Sequence, residues 1–175
     1  MERILSASGP TSGEVNRISD NKPPRKIAFI QCVGSRDPSC DNEYCSSVCC
    51  MYATKEASII KEHNKDIDVS IFFMDMRAYG KDFERYYEKA KNELNVKYIR
   101  SMPSSIEEIG INNDLLLKYE TPEGETKKEI YNMVVLSIGL TTSPEFKHLF
   151  RKFNIKLDEN GFCKTSFNSP LKTSR

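Results

Sequence analysis

Residues 26–32 (KIAFIQC) form a short run of apolar and aromatic positions between polar flanks, the pattern of a buried strand. From residue 44 to about residue 63 the apolar positions recur at helical spacing. Val48, Tyr52 and Ile59 make one stripe, with Ala53, Ala57 and Ile60 beside it. Asn42 is the candidate cap of this helix, and Lys61 and His63 suit the negative end of its dipole. Residues 68–75 (DVSIFFMD) predict a second strand and residues 82–94 (DFERYYEKAKNEL) a second helix. The inner face of that helix would carry Phe83, Tyr86, Tyr87, Ala90 and Leu94. A third strand is predicted over residues 96–101. This β-α-β-α-β order implies a parallel sheet with right-handed crossovers.

The pattern then changes. Residues 105–111, 115–120 and 126–131 predict short strands, separated by turns at Asn112-Asn113-Asp114 and Pro122-Glu123-Gly124. That is an antiparallel β-meander. Residues 133–138 (MVVLSI) are solidly apolar, which suits the centre of a sheet, and Thr141-Thr142-Ser143-Pro144 leads into a short amphipathic helix up to Phe153. The expected class is α/β, with a parallel sheet of dinucleotide-binding type and an antiparallel β-meander. Residues 1–25, rich in Ser, Gly, Pro and Asn, read as a linker or extension. Residues 26–143 form the dinucleotide-fold-like domain, and 144–175 a C-terminal segment.

At 175 residues the chain can hold one domain with a sizeable core. Its 26 basic and 25 acidic residues nearly cancel, so charge points to neither a nucleic acid nor a membrane surface as partner. There is no apolar run near 18 residues, so no direct membrane insertion is expected. The opening MERILSASGPTSGEVNR has neither the basic start nor the apolar centre of a secretory signal, and a cytoplasmic, reducing setting is expected. Cysteines in that setting are more often metal ligands or redox groups than disulfides.

Five of the six cysteines lie between Cys32 and Cys50, where the first strand hands over to the first long helix. Open α/β sheets carry their ligands at such a junction. Cys32, Cys45, Cys49 and Cys50 suit a metal centre, with Cys40 as rival ligand in the intervening loop and Cys163 distant in sequence. Zinc usually takes two paired knuckles of cysteines, and one ion cannot easily accept Cys45, Cys49 and Cys50 at once. A cubane cluster can, because each sulfur binds a different iron; spacing therefore favours an iron–sulfur cluster over zinc. The alternatives are cysteines packed as small apolar residues and a thiol–disulfide site, although the chain has no Cys-x-x-Cys.

A dinucleotide site would place Gly-x-Gly-x-x-Gly after the first strand. Here the turn reads QCVGSRD, with Gly34 alone. Asp75 stands where a ribose-binding acid would, although a residue at that position is more often simply a strand-end residue. His63 and His148 lie among charged residues and read as solvated.

The segments FIQCVGSRD, YCSSVCCMYATKEA, FFMDMRAYGKDFERYYEKA, YIRSMPSSIEE and MVVLSIGL, with the N-terminal ERILSASGPTSGE, resemble the A subunit of heterodisulfide reductase and the related flavoprotein subunits of sulfate-reducer complexes. The likeness spans nearly the whole chain. It implies a thioredoxin-reductase-like flavoprotein of anaerobic metabolism, of which this chain is an internal part. The segments flanking residues 26–143 would then belong to an incomplete flavin domain. It also implies that Cys32, Cys45, Cys49 and Cys50 hold a four-iron four-sulfur (4Fe-4S) cluster near FAD, and that Lys55 faces the flavin. The expected role is an electron-transfer module of an oxidoreductase, relaying electrons between FAD and the cluster and not acting alone. Its partners would be the other subunits of a heterodisulfide-reductase-type complex, with missing segments or a separate chain completing the flavin site. In some such systems electrons are bifurcated toward ferredoxin and a disulfide such as CoM-S-S-CoB. The rival reading is a structural zinc or protein-interaction domain without redox role.

Overall fold

The computed structural model describes residues 1–174. They form two compact units: Met1–Val33 with Ser47–Ile138, and Gly34–Ser46 with the residues from Gly139 onward.

The first unit is a three-layer sandwich. Strand β1 (Lys26–Val33) is buried along nearly its whole length, in keeping with an apolar run that only Gln31 interrupts. It pairs in parallel with β2 (Asp68–Phe72) on one side and β7 (Met133–Ile138) on the other, and β3 (Lys97–Ile99) follows β2. The order β3-β2-β1-β7 is that of a parallel dinucleotide-binding sheet. Helix α2 (Cys49–His63) links β1 to β2, and α3 (Phe83–Asn92) links β2 to β3. Alternation along β1 sorts its side chains onto two faces. Ile27 and Phe29 pack with Val69, Ile71 and Ala53, Ala57 and Ile60 of α2, and with Ala90 of α3. Ala28 and Ile30 pack with Phe72 against Leu117, Tyr119 and Tyr131 of the meander. That meander is β4 (Ser105–Ile109), β5 (Asp114–Glu120) and β6 (Thr126–Tyr131), all antiparallel.

Three expectations are corrected. The first long helix begins at Cys49, not at residue 44, and its N-cap Val48 offers no side chain to the first turn. Ser47 just before it holds φ 63°, a left-handed conformation that ends any helix running in from the loop. The buried face of α2 is set by its small residues, Ala53, Thr54, Ala57 and Ser58 with Ile60, while Tyr52 is 61% exposed. Small side chains let the helix backbone approach the sheet, so the bulky Tyr52 is turned outward. Strand β7 lies at the edge of the sheet rather than its centre, and Leu136 and Ile138 are exposed on it.

Residues 1–25 are packed into the first unit. Val15 is buried in the core, and Met1 and Leu5, at the two ends of the segment that forms the short helix α1 (Glu2–Leu5), rest against it. Arg17 bridges Asp20 and, at 3.0 Å, Asp114.

The second unit contains the loop after β1, the helix α4 (Pro144–Lys152) and the segment beyond it. Ser143 caps α4, its hydroxyl accepting from the Phe146 N–H at 3.3 Å.

Candidate metal and flavin site

Strand β1 ends in a distortion. Its pairing with β7 slips between Ile30 and Val33, a bulge, and Cys32 within it adopts φ 60°. A left-handed non-glycine residue costs about 1–3 kcal/mol and persists where surrounding structure enforces it, which is common at functional sites. Cys32 is buried. In a parallel β-α-β unit the helix returns antiparallel to the strand, so the first turn of α2 stands at the end of the sheet where β1 finishes. Cys49 and Cys50 occupy that turn and are also buried. The Cys50 thiol donates to the carbonyl of Asp75 at 3.8 Å.

Cys45 lies in the loop and is half-buried. Because α2 starts at Cys49, Cys45 does not share a helical face with it. The loop is held by its own polar contacts. Arg36 N–H donates to the Tyr44 carbonyl at 3.0 Å, and Asn42 donates its side-chain amide to the Gly34 carbonyl at 3.2 Å instead of capping α2. Tyr44 donates its hydroxyl to the Leu140 carbonyl at 2.8 Å, and the Ser46 hydroxyl accepts from the Leu140 N–H at 2.9 Å. The Tyr44 ring stands edge-on to Phe162 at 5.4 Å. Gly139 passes so close that a Cβ there would lie 2.7 Å from the Gly34 carbonyl oxygen.

Cys40 differs from the other loop cysteine. It sits exposed in a single 3-10 turn (Pro38–Cys40), its thiol donating to Asp37 at 3.6 Å. The Ser39 hydroxyl and N–H both donate to the same Asp37 carboxylate and, with Cys40, hold it below the usual carboxylate range. Cys163 is half-buried and bridges Leu157 through its backbone. Among the described residues, no three His, Cys, Asp or Glu side chains form a group that could hold a metal ion.

Lys55 is exposed on α2 and lines a cavity of about 700 Å3 with Val48, Met51, Tyr52, Phe83 and Tyr86. The pattern of apolar positions assigns the aromatic members of that lining to the core. A helical wheel alone cannot separate a core stripe from a cavity wall, since both are apolar. Asp75 is ion-paired with Arg77 at 3.2 Å. His63 and His148 are exposed, and His63 Nδ1 lies 3.1 Å from the Gly13 carbonyl.

Gln31 was missed by sequence reasoning. Its side chain is wholly buried, and neither its amide nitrogen nor its oxygen has a hydrogen-bond partner among the described residues. The only signal in the sequence is a polar residue interrupting the apolar run of β1.

No family model matches the chain. It is 42% identical over 163 residues to the iron-sulfur A2 subunit of CoB–CoM heterodisulfide reductase from Methanopyrus kandleri, covering 93% of this chain and 25% of that protein. The chain is homologous to one stretch of the A subunit of heterodisulfide reductase. The corresponding protein of Methanocaldococcus jannaschii is 41% identical over 165 residues, covering 94% of this chain and 25% of the relative. The A subunit of the H2/formate:CoB–CoM heterodisulfide,ferredoxin reductase of Methanococcus maripaludis is also 41% identical over 165 residues, covering 94% of this chain and 25% of that protein. The chain thus spans about a quarter of the length of the curated heterodisulfide reductase subunits it matches. Among solved structures, LpdA of Mycobacterium tuberculosis shares the fold, with a TM-score of 0.53 at 11% identity over 85% of this chain and 28% of the other. No helix among the described residues is long and apolar enough to cross a membrane.

Proposed function

We propose that the chain is the iron–sulfur electron-transfer module of a heterodisulfide-reductase-type flavoprotein, with Cys32, Cys45, Cys49 and Cys50 as the ligands of one 4Fe-4S cluster. The observation that carries this reading is the end of β1. A strained, buried Cys32 stands where a dinucleotide fold would have its glycine-rich turn, and Cys49 and Cys50 are buried in the following helical turn. The donor set suits the group: thiolates are the soft ligands that iron–sulfur clusters prefer. The first turn of a 15-residue helix with no side-chain cap also favours a negatively charged assembly. Bound there, the cluster would supply one-electron relay.

The residues around it have separate tasks. The three buried cysteines keep water from the sulfurs, and burial is one of the levers that set a cluster's potential. Cys40, exposed and engaged with Asp37, is left outside the ligand set. Lys55, with Tyr52, Phe83 and Tyr86, offers a cation and aromatic walls to a planar ring, the role expected of a residue facing FAD. The partners would be the remaining parts of the flavoprotein and the other subunits of a reductase complex in the cytoplasm.

The test is anaerobic reconstitution with iron and sulfide. A brown protein with an EPR signal on reduction is expected, with Cys40→Ser retaining the signal and Cys45→Ser or Cys49→Ser losing it. A colourless protein that holds one zinc and no iron would support a structural domain instead.

A further inference from the structure

Gln31 is the most costly unexplained side chain in the first unit. It is fully buried, and both polar atoms of its amide lack a partner among the described residues. A glutamine amide can donate twice and accept twice, and burying such a group unpaired destabilises a fold, so native proteins seldom keep one without a reason. Aliphatic residues of similar volume would fill the same place without that cost.

Its position supplies the reason. Alternation along β1 puts Gln31 on the face of Ile27 and Phe29, which packs against α2. It is the last residue before the bulged Cys32, at the end of the sheet where α2 begins with Cys49 and Cys50. A donor with no acceptor among the described residues is thus buried next in sequence to Cys32, at the end of the sheet where the helix carrying Cys49 and Cys50 begins. Sulfurs of a thiolate cluster are acceptors only, and hydrogen bonds to them are a recognised determinant of cluster potential.

We propose that Gln31 donates its side-chain N–H to a sulfur of the cluster and raises the cluster's reduction potential. This rests on the cluster reading above. The sign follows from charge: the reduced cluster carries one more negative charge, so an N–H···S hydrogen bond stabilises it more than the oxidised form. Removing the donor therefore lowers the potential.

The experiment compares the 175-residue chain with its Gln31→Met variant, both reconstituted anaerobically with iron and sulfide. Methionine keeps the length and volume and removes the donor. In a redox titration followed by EPR, the variant's midpoint is expected to fall by the equivalent of a tenfold change in the reduced-to-oxidised ratio, ~59 mV for one electron. The cluster-free variant should melt no lower than the cluster-free parent, since two unsatisfied atoms have been removed. An unchanged midpoint would overturn the proposal and assign Gln31 to a buried water. If the variant fails to assemble a cluster, pulsed EPR of the parent labelled with 15N in its glutamine side chains decides. A weak coupling to the reduced cluster supports the hydrogen bond, and none refutes it. Failure of the parent itself to take up iron is a different result: it removes the cluster reading, and this inference with it.

Discussion

Tyr98 shows how a single side chain ties helix, strand and pH together. Its hydroxyl donates to the hydroxyl of the fully buried Thr54 at 3.1 Å, and its ring meets Tyr87 edge-on at 4.7 Å. Burial, opposed by the Thr54 hydrogen bond and aided by neighbouring Tyr87, pushes its ionisation up to about 12. The fold favours the neutral phenol. The stability this brings is complete below the ordinary phenol value of about 10 and is lost as pH rises from there through about 12. Tyr98→Phe should cost about 1 kcal/mol at pH 8, because Thr54 loses its partner. Urea unfolding at pH 8 and pH 11 checks both statements: the gap between variant and parent should narrow at the higher pH. The cysteine cluster at the end of the first strand was legible in the sequence because five of the six cysteines fall between Cys32 and Cys50, with Cys40 as a rival ligand. Gln31 was not, since a polar residue in a strand reads as exposed until its burial is seen.

At the scale of elements, periodicity located almost every strand and helix. It misjudged what their ends do. Residues 44–48 continue the helical spacing, yet Ser47 turns left-handed and Ser46 and Tyr44 are held by Leu140, so the loop claims them. Such contacts are between residues nearly a hundred positions apart, and no local pattern encodes them. The apolar run of β7 likewise signals burial without saying on which side. β1 covers one edge of β7 only. The loop geometry depends on Gly139, whose missing Cβ leaves room for the Gly34 carbonyl and Ser35. Gly139→Ala forces that contact apart, and overpacking of this kind typically costs about 1–3 kcal/mol. The variant should be cut faster by trypsin at Arg36 than the parent under native conditions, while far-UV circular dichroism stays unchanged. Equal cleavage rates would mean that the loop tolerates the methyl group.

For the molecule as a whole, the alternation of strands and helices followed by a meander sufficed to give the α/β class. The sheet order then places the end of β1, beside the first turn of α2, where a dinucleotide fold binds its cofactor. A pyrophosphate there needs backbone that it can approach closely, which glycines provide and bulkier residues obstruct. In this chain the turn reads Cys32-Val33-Gly34-Ser35, with Gly34 as its sole glycine, and Cys32 itself is buried. The cavity beside Lys55 offers a wall for a ring but, besides Lys55 and Lys81, no cation for a diphosphate. The reconstituted 175-residue chain is therefore expected to hold iron and sulfide yet retain no FAD after gel filtration. Supplied with the remaining parts of the flavoprotein, it should retain FAD, and Lys55→Met should then shift the flavin's midpoint potential downward, because a cation beside the ring favours the more anionic reduced form. Flavin retained by the isolated chain would place the whole FAD site in these residues. A midpoint unmoved by Lys55→Met would separate Lys55 from the ring.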